Sequence, residues 1–318
     1  YTIIKDIFLK IKPDIVHSNN TYGISPIIWK VAKKFNIPTV HTLRDYYLMY
    51  PFGNLTYPET NNKFNIYELT HKKIHRKVTQ KVDYVTAPSS FTLEKFISNK
   101  FFTHCLDKEV IFNAIDYNHE IVDRWYQLKI NNEDDITKFV YLGTLGEHKG
   151  VHLLLEAFNK IKDDKIELHI AGKGDLQKLV EEYVGKDHRI KFYGFLQGND
   201  LQELLLECNV LVAPSIWFEP FGRVVIDGYK HALPVIGSST GGLKEIIKNN
   251  KTGLLIEPNN VEALHKAINT IKDKSTIREM LEFSRAELNI FSIEEQVNRF
   301  ESVYNKLCAT NSKNRKEN

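Results

Sequence analysis

Short apolar runs alternate along the chain with longer stretches in which apolar side chains recur at helical spacing. In the first part, strand character falls on Asp14-Ile15-Val16-His17, on Pro38–Thr42, on Tyr84–Ala87 and on Val110-Ile111-Phe112, with a helical stretch over Pro26–Phe35. Beyond residue 137 the alternation becomes regular. Strands are expected at Phe139–Leu142, Ile166–Ile170, Ile190–Tyr193, Val210–Ala213, Pro234–Ile236 and Leu254–Ile256. Helical segments lie between them, such as Val151–Ile161, where Leu154, Phe158 and Ile161 share one face. Strand–helix alternation of this kind predicts the α/β class, with parallel sheets covered on both sides. Two such sheets are implied, with a boundary near Tyr117–Lys138, where Asn131-Asn132-Glu133-Asp134-Asp135 suits a linker or loop. The first sheet offers about four strands, where doubly wound domains commonly hold about five or six. The chain also opens on Tyr1 rather than Met, so the sequence is expected to start inside a longer protein. No internal repeat is visible, and the polar tail after Thr310 is expected to fray.

Composition narrows the class. At 318 residues the chain favours two domains. Its 42% hydrophobic and 26% charged residues exclude disorder, collagen and coiled coil. Cys105, Cys208 and Cys308 are too few and too scattered for a disulfide framework or a cysteine zinc site, which points to a reducing compartment such as the cytoplasm. No apolar run is long enough to span a membrane, and no signal-peptide pattern opens the chain. The net charge of +3 is too small for a dedicated nucleic-acid binder. Its distribution is uneven: residues 1–120 hold 16 Lys/Arg against 11 Asp/Glu, and the remainder carries a slight acidic excess. The densest basic stretch is His71-Lys72-Lys73-Ile74-His75-Arg76-Lys77, followed by Lys81. It is either a face for an anionic membrane surface or a solvated helix face.

Parallel sheets bind ligands at the carboxyl ends of their strands, and four loops there carry candidate chemistry. Gly143-Thr144-Leu145-Gly146-Glu147-His148-Lys149-Gly150 lets the backbone approach a phosphate while Lys149 holds its charge. It is not a P-loop, because no Gly-Lys-Ser/Thr follows. Ala171-Gly172-Lys173-Gly174-Asp175 lacks the third glycine of a dinucleotide fingerprint, where Gln177 stands, and reads better as a tight turn into a helix. In Ile216-Trp217-Phe218-Glu219-Pro220-Phe221-Gly222-Arg223, a rigid turn before a helix over about 221–231 holds Glu219 at the sheet edge. A carboxylate there either accepts sugar hydroxyls or simply caps the helix. Asp227 lies two turns on, within reach of a ribose diol. Ser238-Ser239-Thr240-Gly241-Gly242 offers backbone amides for a second phosphate nest ahead of Glu245.

Glu219-Pro220-Phe221-Gly222, Asp227-Gly228, Ala232-Leu233-Pro234-Val235-Ile236-Gly237, Gly241-Gly242, Glu245 and Gly253-Leu254-Leu255 together resemble the donor-binding region of glycosyltransferase family 4, retaining enzymes of the GT-B fold. Lys149-Gly150 matches that family's phosphate-contacting lysine, Asn113-Ala114-Ile115-Asp116 resembles the motif closing its first domain, and Lys12–His17 and Pro38-Thr39-Val40 resemble first-domain strands. The resemblance runs from about residue 12 to 305, specific over 138–258 and loose before it. The family's opening strands and glycine-rich acceptor loop have no counterpart.

The resemblance implies two Rossmann-like domains facing a cleft. Residues 1–120 would be the acceptor side, incomplete at its start, 121–290 the nucleotide-sugar side, and 291–310 a helix packing back toward the first domain. It implies transfer of a hexose from a nucleotide-diphosphate sugar, such as a UDP-sugar, to a glycan or lipid-linked acceptor in bacterial envelope polysaccharide synthesis. No metal or other cofactor is expected. The catalytic candidates are Glu219, which grips the sugar, Lys149, which stabilises the leaving diphosphate, and Arg44, which stands where many members place a histidine near the reacting sugar. Donor-binding candidates are Gly143, Thr144, Gly172, Phe195, Leu196, Pro220, Phe221, Gly222, Arg223, Asp227, Gly241 and Gly242. Thr144 replaces a frequent arginine and Asp227 a frequent glutamate, which leaves Lys149 as the main cation. A nucleotide-sugar epimerase, a phosphorylase, or a non-catalytic nucleotide-sugar-binding partner subunit are the rival readings, and the Glu-Pro-Phe-Gly turn argues against the first two.

The i, i+4 histidine pairs His71/His75 and His148/His152 lack the glutamate of a zinc-protease helix and read as structural. Tyr46, Tyr47, Tyr50, Pro51 and Phe52 form either core or an acceptor face.

Overall fold

The computed structural model describes the chain except residues 22, 24, 52, 54, 56–65 and 317–318. Its contacts divide the chain into two compact units. One runs through Asn113 and takes back the chain from Glu294 onward, and the other is built on Ala114–Ile293. The sequence had placed this boundary at 120, and in the described structure Asn131–Asp135 is a loop inside the second unit.

The first unit contains α1 (Thr2–Ile11), β1 (Val16–Ser18), α2 (Ile27–Lys34), β2 (Thr39–Thr42), α3 (Ile66–Thr79), β3 (Tyr84–Ala87), α4 (Ser90–Ser98) and β4 (Asp107–Val110). The four strands form one parallel sheet in sequence order. β4 ends on Val110, the first residue of the apolar run in which the pattern predicts a strand. Its Asp-Lys-Glu-Val sequence is only partly buried, as befits an edge strand, whereas Ile111 beyond it is 2% exposed and produced the signal.

The last helix, Ile293–Lys316, belongs to this unit and runs on past Thr310, where fraying was expected. It packs Val303 and Leu307 against Val40, Tyr84 and Ile111. Arg299 Nε donates to Glu109 at 2.9 Å, and Gln296 donates to the Phe112 carbonyl at 2.6 Å. The basic stretch lies on α3. His71 is buried and donates to the Tyr47 carbonyl at 2.6 Å, and Lys72 donates to Asn99 at 2.7 Å. Lys73 and Lys77 remain exposed beside Ile66, Tyr67, Leu69 and Ile74. Tyr46 is fully buried and stacks on Phe96, so it is core; Phe52 lies outside the described residues.

The second unit runs α5 (His119–Ile130), β5 (Thr137–Leu142), a 3₁₀ turn (Glu147–Lys149), α6 (Val151–Asn159), β6 (Ile166–Ala171), α7 (Gln177–Val184), β7 (Ile190–Phe192), α8 (Gly198–Glu207), β8 (Val210–Ala213), α9 (Arg223–Lys230), β9 (Val235–Ser238), α10 (Leu243–Ile246), β10 (Gly253–Ile256), α11 (Val261–Ile271) and α12 (Lys274–Glu287). Leu154 and Phe158 on α6, and Ile161 just after it, are all buried, as the helical spacing requires. The six strands are parallel in the order β10-β9-β8-β5-β6-β7. The chain therefore builds outward from β5 in one direction, returns, and continues from β8 in the other. That reversal between β5 and β8, which pair at Phe139–Val210 and Val140–Leu211, is the switch point at which an open parallel sheet forms a ligand crevice.

Candidate functional site

The loops after β5 and β8 flank the switch point, and their backbones interlock. The His148 carbonyl accepts from the N–H of Ile216 at 3.0 Å, the N–H of Trp217 at 3.2 Å and the Ser215 hydroxyl at 3.2 Å. This fixes Lys149, in the 3₁₀ turn, opposite Glu219. The Lys149 ammonium donates to Glu219 Oε1 at 2.5 Å, and the single Ser215 O–H is shared between the His148 carbonyl and this oxygen, at 3.3 Å. The Lys149 ammonium also sits 5.1 Å from the centre of the Trp217 ring. The two charged side chains are 26% and 12% exposed, so the pair sits in a wall, open to a ligand on one side.

Glu219 is held from behind by the loop after β9. Its carbonyl accepts from the Gly242 N–H at 2.7 Å. Gly241 has φ +54°, and a Cβ there would lie 2.4 Å from the Glu219 carbonyl oxygen. Only glycine fits that approach. A second close contact joins the loops after β5 and β6, where a Cβ on Gly172 would lie 1.9 Å from the Gly143 carbonyl oxygen.

Two cavities adjoin across Leu142, Gly143 and Thr144. One, of about 220 Å³, is lined by Tyr141, Lys149, Ser215, Glu219, Gly222 and Arg223. The other, of about 270 Å³, is lined by Gly172, Lys173, Phe195, Leu196 and Leu201. The first holds the charged pair beside the start of α9; the second is largely apolar, with the Lys173 ammonium 4.6 Å from the centre of the Phe195 ring. A flat aromatic group fits the apolar lobe, and an anion followed by hydroxyls fits the charged one.

Most sequence candidates therefore fall together. Lys149, Glu219, Gly143, Thr144, Gly222 and Arg223 line the charged lobe; Gly143, Thr144, Gly172, Phe195 and Leu196 line the apolar one. Pro220, Phe221, Gly241 and Gly242 lie beneath Glu219 as buried support, with Phe221 edge-on to Phe291. Asp227 is not among the residues lining either cavity. Its carboxylate is 4.0 Å from Arg223 Nε, and burial raises its pKa above the usual carboxylate value. Arg44 belongs to the first unit, where it meets Asn19 and Asn113. Pattern reading missed Tyr141 and Ser215. Tyr141 donates to the Thr144 carbonyl at 2.7 Å, tying the loop after β5 to its own strand. Neither belongs to a recognisable motif; their only signal is a polar side chain at the end of an apolar strand. Of the histidines, His41 is buried and stacks on Phe102, and His148 contributes its carbonyl to the clamp.

Two parallel-sheet α/β units, the second with a crevice at its switch point, are the architecture of the GT-B class. Residues 123–285 match the family described as "Glycosyl transferases group 1", and residues 2–119 match "Glycosyltransferase Family 4". The chain belongs to the group 1 glycosyltransferases. It is 27% identical over 303 residues to a 42.6 kDa protein of the cps region of Klebsiella pneumoniae, covering 94% of this chain and 74% of that one. It is 31% identical over 183 residues to a glycosyltransferase of Methanocaldococcus jannaschii, covering 54% of this chain and 47% of that one. The structure of Anabaena HepE in complex with UDP superposes with a TM-score of 0.76 at 18% identity, covering 96% of this chain and 82% of that one.

Proposed function

We propose that this chain transfers a hexose, with retention at the anomeric carbon, from a nucleotide-diphosphate sugar to a glycan or lipid-linked acceptor. UDP is the leading nucleotide, and bacterial envelope polysaccharide is the product class. The observation that carries the reading is the Lys149–Glu219 pair on the wall of a two-lobed crevice. Cleavage of the sugar–phosphate bond leaves the electron pair on the diphosphate and positive charge on the anomeric carbon. Lys149 turns from Glu219 to the diphosphate and meets that growing negative charge, while Glu219, released, accepts hydroxyl hydrogens of the sugar. The acceptor hydroxyl then adds to the anomeric carbon from the face on which the diphosphate leaves, which retains the configuration, and passes its proton to the departing phosphate oxygen. Phe195 and Leu196 receive the base, and Gly143 and Thr144 lie between base and diphosphate. A metal ion plays no part in this reading. The UDP and UDP-glucose complexes of HepE, and the cps-region relative, support the choice of donor and product class.

The test is a thermal-shift panel of nucleoside diphosphates and their sugars, followed by transfer assays with and without EDTA. Selective stabilisation by one nucleotide sugar, with turnover in EDTA, is expected; turnover that needs added Mg²⁺ would overturn the metal-free mechanism. Binding without turnover across many acceptors would favour a non-catalytic partner subunit instead.

We place the reaction in the cytoplasm, at the inner face of the plasma membrane. Exposed Lys73 and Lys77 beside Ile66, Leu69 and Ile74 on α3 support contact with an anionic lipid surface. No helix among the described residues is long and apolar enough to cross a membrane. Co-sedimentation with anionic vesicles at low salt, lost at high salt, is expected, and absence of binding at low salt would end the idea.

A further inference from the structure

Arg44 follows β2 at the carboxyl end of the first unit's sheet, with Asn19 just past β1 and Asn113 past β4. Its Nε and Nη2 donate to Asn19 Oδ1 at 3.2 and 2.9 Å, and its Nη1 donates to Asn113 Oδ1. A guanidinium carries five N–H donors. Three are committed here, so one N–H on each terminal nitrogen remains.

The charge is also uncompensated. Arg189, Arg285 and Arg299 each meet a carboxylate, whereas Arg44 meets only amide oxygens among the described residues. Asp45, next in the chain, accepts from Asn20 Nδ2 and from the Tyr47 N–H, both at 2.8 Å. The titratable neighbours that face Arg44 are His17 on β1 and His41 on β2. Burial, and after it the charge of Arg44, hold the His17 imidazole down at about 4. Burial, then His17 and Arg44, hold His41 at about 3. Both rings are therefore neutral near pH 7, and the guanidinium is the cation of this cluster. A half-buried cation without a counter-charge is costly to maintain. Two amide oxygens orient it without neutralising it, which leaves a paired, planar donor set for a ligand.

We propose that Arg44 binds an oxyanion, a carboxylate or phosphate carried by a sugar substrate, end-on through its two uncommitted N–H groups. This rests on the glycosyltransferase reading above and narrows its acceptors to those that carry an anionic sugar.

The test is thermal denaturation of the UDP-saturated protein at constant ionic strength, titrated with D-glucuronate, inorganic phosphate or D-glucose. A saturable rise in Tm with at least one anion and none with glucose is expected. R44Q should need about tenfold more anion, and R44K, which keeps the charge but loses the fork, should fall between. If R44Q does not fold, a response in R44K about threefold weaker than in wild type carries the comparison. No rise with either anion, or a rise the variants keep unchanged, overturns the proposal. A UDP response shared by wild type and variants shows the donor pocket intact, so this failure is distinct from failure of the donor reading, in which no nucleotide is bound.

Discussion

Lys149 and Glu219 hold each other in the free protein, yet each is assigned to a different part of the donor. That conflict gives a prediction with two opposed signs. The side chains touch at 2.5 Å and are 26% and 12% exposed. A fully exposed ion pair contributes about 0–1 kcal/mol, whereas a hydrogen bond to a charged group contributes about 1.5–3 kcal/mol. The burial places this pair in the second range. Truncating one partner leaves the other charge half-buried, so K149M and E219Q should each lower stability by about 1–3 kcal/mol. The Ser215 hydroxyl and the Trp217 ring remain to hold the orphaned group, which favours the lower half of that range. The double variant should lose less than the sum, with a coupling energy of about 1–2 kcal/mol.

Binding should respond differently from stability. E219Q frees the ammonium, so affinity for UDP is kept or rises, while the extra affinity conferred by the glucose of UDP-glucose falls. K149M should weaken UDP by about tenfold or more, and K149A should cost about 2.7–4 kcal/mol of transition-state stabilisation in turnover. Urea unfolding of the four proteins measures the first cycle, and titration calorimetry with UDP and UDP-glucose measures the second. A coupling energy under about 0.5 kcal/mol, or K149M binding UDP as wild type does, would refute the reasoning.

Three further outcomes follow from the same structure. The unfolded chain protonates an imidazole near pH 6.5, whereas burial keeps His41 at about 3 in the folded unit. Its contribution is thus fully present above pH 6.5 and is lost as pH falls toward 3, by about 1.4 kcal/mol per pH unit. Urea midpoints that do not drop between pH 6.5 and 5 would contradict this. Gly241→Ala drives a Cβ to within 2.4 Å of the Glu219 carbonyl oxygen at φ +54°. It should cost about 1–3 kcal/mol in strain and abolish discrimination between UDP-glucose and UDP in calorimetry; an unchanged Tm counts against the clamp. Phe195 is 59% exposed at the rim of the apolar lobe, so F195A should weaken UDP by about 1–3 kcal/mol, the usual scale of base–aromatic stacking. Equal Kd values would move the base elsewhere.

Much of this site is written in local order along the chain. The glycine loops after apolar runs, the Glu219-Pro220-Phe221-Gly222 turn, and the position of Lys149 just before an amphipathic helix all depend on near neighbours, and they are legible one segment at a time. So is the alternation that makes both sheets parallel, because buried parallel strands need unbroken apolar runs and their crossovers need helices.

Strand order is another matter. Nothing between residues 142 and 210 states that β8 pairs with β5 and not with β7, yet that pairing sets Lys149 opposite Glu219, 70 residues apart in sequence. Parallel pairing is non-local, decided by which apolar faces the whole unit can bury together. Tertiary context also shifts β4 ahead of its apolar signal, since an edge strand need not be apolar, and it brings the last helix, Ile293–Lys316, into the first unit, since Val303 and Leu307 find their partners near residues 40, 84 and 111. Arg44 shows the same limit. Its identity is plain from the chain, but its pairing with two amide oxygens, and with no carboxylate among the described residues, arises only where the ends of β1, β2 and β4 converge in space.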